Sequence, residues 1–166
     1  MSMRSRLSEV LSLRLPADEA ATERLGEQLG CHLGAGCTLA LVGEVGAGKT
    51  TLVRGLARGL GVDHPDEVAS PTYLLVVEHG GRVPLLHADA YLPQKLKGFL
   101  DDGGLEYLFQ PSSLAVVEWA DRIAELVPAS ALWLELSPSP EGGRLCSFRC
   151  ADAEDFPWLA RWRENP

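Results

Sequence analysis

Residues 43–51 read GEVGAGKTT, and their spacing decides what kind of fold the chain has. Gly43, four residues, then Gly48-Lys49-Thr50 is the pattern of a loop that grips nucleotide phosphates. The glycines let the backbone curl, so that successive N–H groups aim inward at phosphate oxygens. Lys49 is placed to reach the β- and γ-phosphates as a mobile point charge, and Thr50 to set its hydroxyl on Mg²⁺. The candidate cradle is therefore Glu44, Val45, Gly46, Ala47, Gly48, Lys49, Thr50 and Thr51. The flanks agree with that reading. Upstream, CTLALVG suits a buried strand. Downstream, Leu52, Leu56 and Leu60 repeat every four residues and Gly61 can end the helix. A helix that starts at the loop also turns its positive dipole end toward the anion.

A chain of 166 residues can bury a substantial core as one domain, 1–166, and no linker or repeat divides it. MSMRSRLSEV has two arginines but no long apolar run after them, which argues against a signal peptide. No stretch is long and apolar enough to span a membrane. These features imply a cytoplasmic protein. Twenty-three acids against 15 bases give a net charge of −8, a poor balance for direct, non-specific nucleic-acid binding. Arg54 and Arg58, on the helix after the loop, read as a solvated helix face. Cys31, Cys37, Cys146 and Cys150 fit neither a zinc pair nor a redox motif and read as reduced, mostly buried thiols.

The remaining elements follow from period and punctuation. LSLRL (11–15) alternates like a strand. Pro16 and Asp18 open a helix with Ala21, Leu25 and Leu29 on one face. Residues 70–92 predict two strands around Gly80-Gly81. Residues 94–109 predict helix interrupted at Gly103-Gly104, and SLAVVEW (113–119) a buried strand with a short helix from about Asp121. ALWLELS (131–137) and RLCSFRC (144–150) predict a hairpin, and the tail DAEDFPWLARWREN a helix. Strands and helices mix without strict βαβ order. The fold class is therefore α/β: a phosphate-loop NTPase with a mixed, partly parallel sheet, antiparallel edge additions and flanking helices.

A phosphate loop needs a metal partner and a group that orients the nucleophile. In LLHADAY the two-residue strand period would put His87, Asp89 and Tyr91 on one face. In AVVEWADR an apolar run leads to Glu118 at the C-terminal end of a strand, where open α/β sheets collect ligand groups. Asp89 and Glu118 are thus candidate acids for Mg²⁺ and attacking water, and Lys49 completes the candidate catalytic set. The residues also fit plainer roles: His87 as a strand-end residue, Asp89 and Glu118 as caps. Ser70-Pro71-Thr72, between the loop helix and the acids, is either a stiff turn or a segment that senses the metal or γ-phosphate.

Taken together, GEVGAGKTT, SPTY, HADAY and VEW resemble, in order and approximate spacing, the TsaE family of bacterial ATPases. That family is required for threonylcarbamoyladenosine formation in tRNA. The resemblance spans about residues 15–136. It implies slow ATP hydrolysis by the chain alone. It also implies work with two partner proteins of the threonylcarbamoyl-transfer complex, tRNA being held indirectly through them. ATP and Mg²⁺ would be its cofactors, Lys49 and the 44–51 backbone its phosphate contacts, Thr50 its metal ligand. Asp89 and Glu118 would stand around metal and water, with Ser70, Pro71 and Thr72 as the nucleotide-sensing switch. One departure concerns the segment after His-x-Asp, where the family usually carries Leu-Tyr-Arg. Here Tyr91 is kept, Ala90 and Leu92 replace its neighbours, and Pro93 follows with no arginine. A small-molecule kinase uses the same loop, but Arg82, Arg122 and Arg144 are scattered singly and make no arginine-rich lid. A guanine-nucleotide switch normally needs Asn-Lys-x-Asp, and the sole asparagine is Asn165.

Overall fold

In the computed structural model, which describes residues 3–162, seven strands form one sheet ordered β1-β7-β6-β2-β5-β4-β3. The strands are β1 (Ser8–Leu15), β2 (Thr38–Val42), β3 (Val76–His79), β4 (Leu85–Asp89), β5 (Leu114–Glu118), β6 (Leu132–Pro138) and β7 (Arg144–Cys150). The four central strands β6, β2, β5 and β4 run parallel. The rest are antiparallel additions, β7 and β1 at one edge and β3 at the other. The α/β phosphate-loop class expected from the sequence is the one observed.

Side chains alternate across the sheet, as the strand period requires. Leu39, Leu41, Leu114 and Val116 enter one core, with Leu25 and Leu29 of α1 (Glu19–His32) and Leu52 and Leu56 of α2 (Lys49–Gly59). Ala40, Ala115 and Val117 enter the other. Leu96 of α3 (Pro93–Phe99), Leu108 of α4 (Leu105–Leu108) and Ile123 of a 3₁₀ segment (Ala120–Leu126) cover that face. By the same parity His87, Asp89 and Glu118 fall on the face that carries α2, the helix that begins at the phosphate loop. Asp18 caps α1 by accepting from Ala21 N at 2.6 Å, so the helix start read from Pro16 and Asp18 is where the structure has it.

Helices α1 and α2 pack through glycine. A Cβ on Gly26 or Gly30 would sit 2.1 Å from Leu52 O or 2.5 Å from Leu56 O. One on Gly55 or Gly59 would sit 2.0 Å from Glu23 O or 2.2 Å from Glu27 O. Backbone therefore meets backbone across this pair. Arg54 and Arg58 are not a free solvated face: both reach Glu23 on α1, at 3.5 and 2.9 Å, and Arg58 also reaches Asp66 at 2.6 Å. The Arg58 hydrogen bond holds the Glu23 carboxyl below the usual carboxylate range.

Three expectations change. The tail is a 3₁₀ turn (Ala153–Asp155) and the short α5 (Trp158–Trp162), parted at Pro157, which cannot continue a hydrogen-bonded helix from the preceding turn. Residues 163–165 of that expected helix lie outside the described residues. Cys31 is exposed and Cys37 half-buried, because both sit at the end of α1 or just past it; only Cys146 and Cys150, facing inward from β7, are buried. Strand β4 ends at Asp89, so the strand period does not carry on to Tyr91. The interruption expected near Gly103 is present: Asp102 and Gly103 leave helical geometry, Gly103 at φ 92°.

Candidate functional site

Parallel pairing sets the acids side by side. Asp89, the last residue of β4, is in register with Glu118, the last of β5, and β5 pairs β2 just before the phosphate loop. Glu118 and Asp89 are both buried, and Thr50, the second residue of α2, donates from Oγ1 to Glu118 Oε1 at 2.9 Å. The other oxygen, Oε2, lies 2.5 Å from His87 Nε2. A line of contact thus runs from His87 through Glu118 to Thr50. His87 is fully buried and holds the carboxylate from behind. This is a third role, beside the two that sequence left open for it.

Asp89 is gripped differently. Ser70 Oγ and Thr72 Oγ1 both donate to Oδ2, the latter at 3.1 Å, and Tyr91 N donates to Oδ1 at 2.7 Å. Ser70 and Thr72 also contact each other at 3.2 Å. The SPTY segment is therefore tied to an acid of the site and is more than a turn. At its end Tyr73, and after it Leu74, are 85% and 74% exposed, and Leu75 takes φ 67°, a left-handed conformation costly for a side chain of this size.

Lys49 donates to the carbonyls of Gly43 at 2.5 Å and Glu44 at 2.9 Å, and its Nζ stands 4.1 Å from the centre of the Trp119 ring. Burial lowers its pKa from the usual lysine value, while Glu118, Asp89, Glu44 and Asp121 pull the other way. Gly48, at φ 105°, starts α2 in a backbone conformation that side chains rarely adopt. One cavity of about 460 Å³ joins the loop residues Val45, Gly46, Gly48, Lys49, Thr50 and Thr51 to Ser70, Thr72, Asp89 and Glu118. Glu44 contributes its carbonyl to Lys49, and Ala47 its carbonyl to Arg144. Pro71 accepts from Leu75 N at 2.8 Å and so closes the turn of the SPTY segment.

Four contributors to the cavity carried no role in the sequence reading: Glu19, Tyr73, Trp119 and Arg144. Trp119 follows Glu118 at φ 58°, which turns its indole toward Lys49. Arg144 comes from the far hairpin and donates from Nε to Ala47 O at 2.8 Å. No local pattern marks either of them as part of the site. Tyr91 has an arginine after all, though not its sequence neighbour. Arg122 donates to Tyr91 O at 2.5 Å, and its guanidinium lies 4.9 Å from the Tyr91 ring centre and 4.6 Å from that of Trp119.

The donor set suits a hard cation. Among the described residues no group of three His, Cys, Asp or Glu side chains gathers tightly enough to hold a metal alone. One hydroxyl and two carboxylates fit Mg²⁺, which fills its remaining positions with phosphate oxygens and water.

Comparison with known proteins shows the family. The family model described as "Threonylcarbamoyl adenosine biosynthesis protein TsaE" matches residues 16–145. The chain belongs to the TsaE family. A tRNA threonylcarbamoyladenosine biosynthesis protein TsaE from Treponema pallidum is 36% identical over 123 residues, covering 74% of this chain and 89% of that protein. The protein of the same name from Streptomyces coelicolor is 42% identical over 119 residues, covering 68% and 76%. A crystal structure of Bacillus subtilis YdiB superposes with a TM-score of 0.75 at 26% identity, over 95% of this chain and 97% of that one. The TsaE family takes part in tRNA threonylcarbamoyladenosine biosynthesis, and the fold of this member is the phosphate-loop NTPase fold. No helix among the described residues is long and apolar enough to cross a membrane.

Proposed function

We propose that the chain is the Mg²⁺-dependent ATPase subunit of the tRNA threonylcarbamoyladenosine system. It works in the cytoplasm with two partner proteins that hold the tRNA. The observation that carries this reading is the contact of Thr50 with Glu118 at the mouth of the phosphate loop, 2.9 Å from hydroxyl to carboxylate. It joins the two residue types that share a nucleotide-bound metal to the loop that grips phosphate. Mg²⁺ would supply charge neutralisation on the phosphate tail. Lys49 would bind and orient the phosphate tail, and Thr50 and Glu118 would hold the metal. His87 fixes the Glu118 carboxylate. Asp89, tied to Ser70 and Thr72, would be the second acid and would orient the attacking water. That tie supports a switch: a change of charge at the γ-phosphate position alters what Asp89 holds, and the exposed Tyr73 and Leu74 follow.

The experiment is ATP turnover by the purified chain with Mg²⁺, alone and with the partner proteins and tRNA, beside a screen of small acceptors. The expected result is slow hydrolysis alone, stimulation in the full system, and no phosphorylated metabolite. Transfer of the γ-phosphate to a small molecule at ordinary kinase rates would replace the proposal with a kinase.

A further inference from the structure

Arg144 has a place in the cavity that the reading above leaves unused. Its Nε is taken by Ala47 O, yet the two terminal amino groups make no hydrogen bond or ion pair among the described residues. The loop is pressed against this side chain: a Cβ on Gly48 would lie 3.2 Å from Arg144 Nε. Hence an arginine fork with spare donors stands beside the phosphate loop, in a site built for anions.

The sheet order says which part of a nucleotide it would meet. The loop leaves the end of β2. On one side of β2 lie β5 and β4, whose last residues are Glu118 and Asp89. On the other lie β6 and then β7, which begins at Arg144. A metal held by Thr50 and Glu118, which are in contact, would lie on the β5 side, and the γ-phosphate with it. A nucleotide laid along the loop therefore runs its nucleoside end toward β7. The phosphate on that side is the α-phosphate, which ATP and ADP share. We infer that Arg144 is a nucleotide-binding residue that donates from its terminal amino groups to the α-phosphate while its Nε braces the loop through Ala47. A planar fork is suited to both tasks at once, where a lysine is a single point charge.

This assignment rests on the nucleotide reading, and the test separates the two. Affinities for MgATP and MgADP are measured for the wild-type chain, Arg144→Gln and Arg144→Lys, with ligand-free Tm alongside. Glutamine keeps an N–H donor for Ala47 O but removes the charge. Arg144→Gln is expected to weaken ATP and ADP by the same factor, about tenfold or more. Its ligand-free Tm should stay within about 2 °C, and Arg144→Lys should recover part of the loss. Affinities within twofold of wild type for Arg144→Gln would overturn the assignment. So would a loss confined to ATP, which would put the contact on the γ-phosphate. A loss that comes only with a lowered ligand-free Tm and is not recovered by lysine would make Arg144 a brace of the loop and nothing more. A wild-type chain that binds neither nucleotide overturns the nucleotide reading itself, and this assignment with it.

Discussion

The polar side chains at the centre of the cavity, Lys49, Thr50, Asp89 and Glu118, are held by partners from other parts of the chain. Lys49, 5% exposed, is balanced by two loop carbonyls, the Trp119 face and nearby acids. Lys49→Ala removes the mobile charge that phosphate requires, and neither Lys95 nor Lys97 lines the cavity. ATP affinity should fall by about tenfold to a hundredfold. Glu118→Gln should behave differently. It keeps the shape of the side chain, but it removes the charge that would hold the metal, and its amide nitrogen cannot accept as the second carboxylate oxygen does. Turnover should drop by about a hundredfold or more while affinity changes by less than about tenfold. Nucleotide titration and turnover on the same two proteins check both statements. A Glu118→Gln variant with unchanged turnover per bound nucleotide would make the acid structural.

At the level of elements the controlling feature is the glycine seam between α1 and α2. Leucine spacing announced both helices, but it did not announce how closely they approach. Gly55→Ala would place a methyl carbon 2.0 Å from Glu23 O, so one helix must move. We expect a loss of about 1–3 kcal/mol. ATP binding should weaken too, because α2 carries Lys49 and Thr50 at its start. Gly98→Ala is the opposite case. That residue lies in α3 with open space around its would-be Cβ, and the change should stabilise the chain by about 0.5–1 kcal/mol through lower helix-forming cost. Thermal or urea unfolding of the two variants measures both signs. Equal effects would mean that the seam is looser than the packing implies.

Across the whole molecule, the four thiols report how the chain opens. Cys31 is exposed at the end of α1, whereas Cys146 and Cys150 sit inside β7, which is hydrogen-bonded on both sides by β1 and β6. A maleimide at neutral pH should label Cys31 first, Cys37 next, and the β7 pair only when the sheet opens. Burial pushes the Cys146 thiol up to about 12 from a usual 9.0. The folded chain therefore keeps that proton when the unfolded chain has already lost it. Stability should fall as pH rises from about 9 toward about 12. Cys146→Val should flatten that fall, read as the urea midpoint at pH 8 and pH 10. Labelling of Cys146 as fast as Cys31 in native buffer would contradict the burial of β7.

The sequence by itself determined the local chemistry. Glycine spacing announces a phosphate loop because only that backbone can curl around an anion. The strand-then-helix flanks, the Asp18 cap, the Gly103 break and the β3–β4 and β6–β7 hairpins are likewise short-range matters of period and punctuation. So is the placing of Asp89 and Glu118 at strand ends. What local pattern cannot carry is partnership across the sheet. Glu118 turns toward Thr50, 68 positions away in the chain, and toward His87 because β4, β5 and β2 are neighbours in register. Asp89 fastens Ser70 and Thr72 because the chain returns there after the β3–β4 hairpin. Arg122 on Tyr91, and Arg144 on Ala47 from 97 positions away, were single arginines in the sequence and became parts of the site only through packing. The tail shows the same limit from the other side. Its charge order favoured a continuous helix, but Pro157 removes a backbone donor, and the aromatic side chains of Trp158 and Trp162 pack on His32 instead. Residue types and spacings fix which chemistry is available, since those depend on the nearest few bonds. Which groups meet is decided by the sheet order, since that depends on burying both faces of one sheet at once.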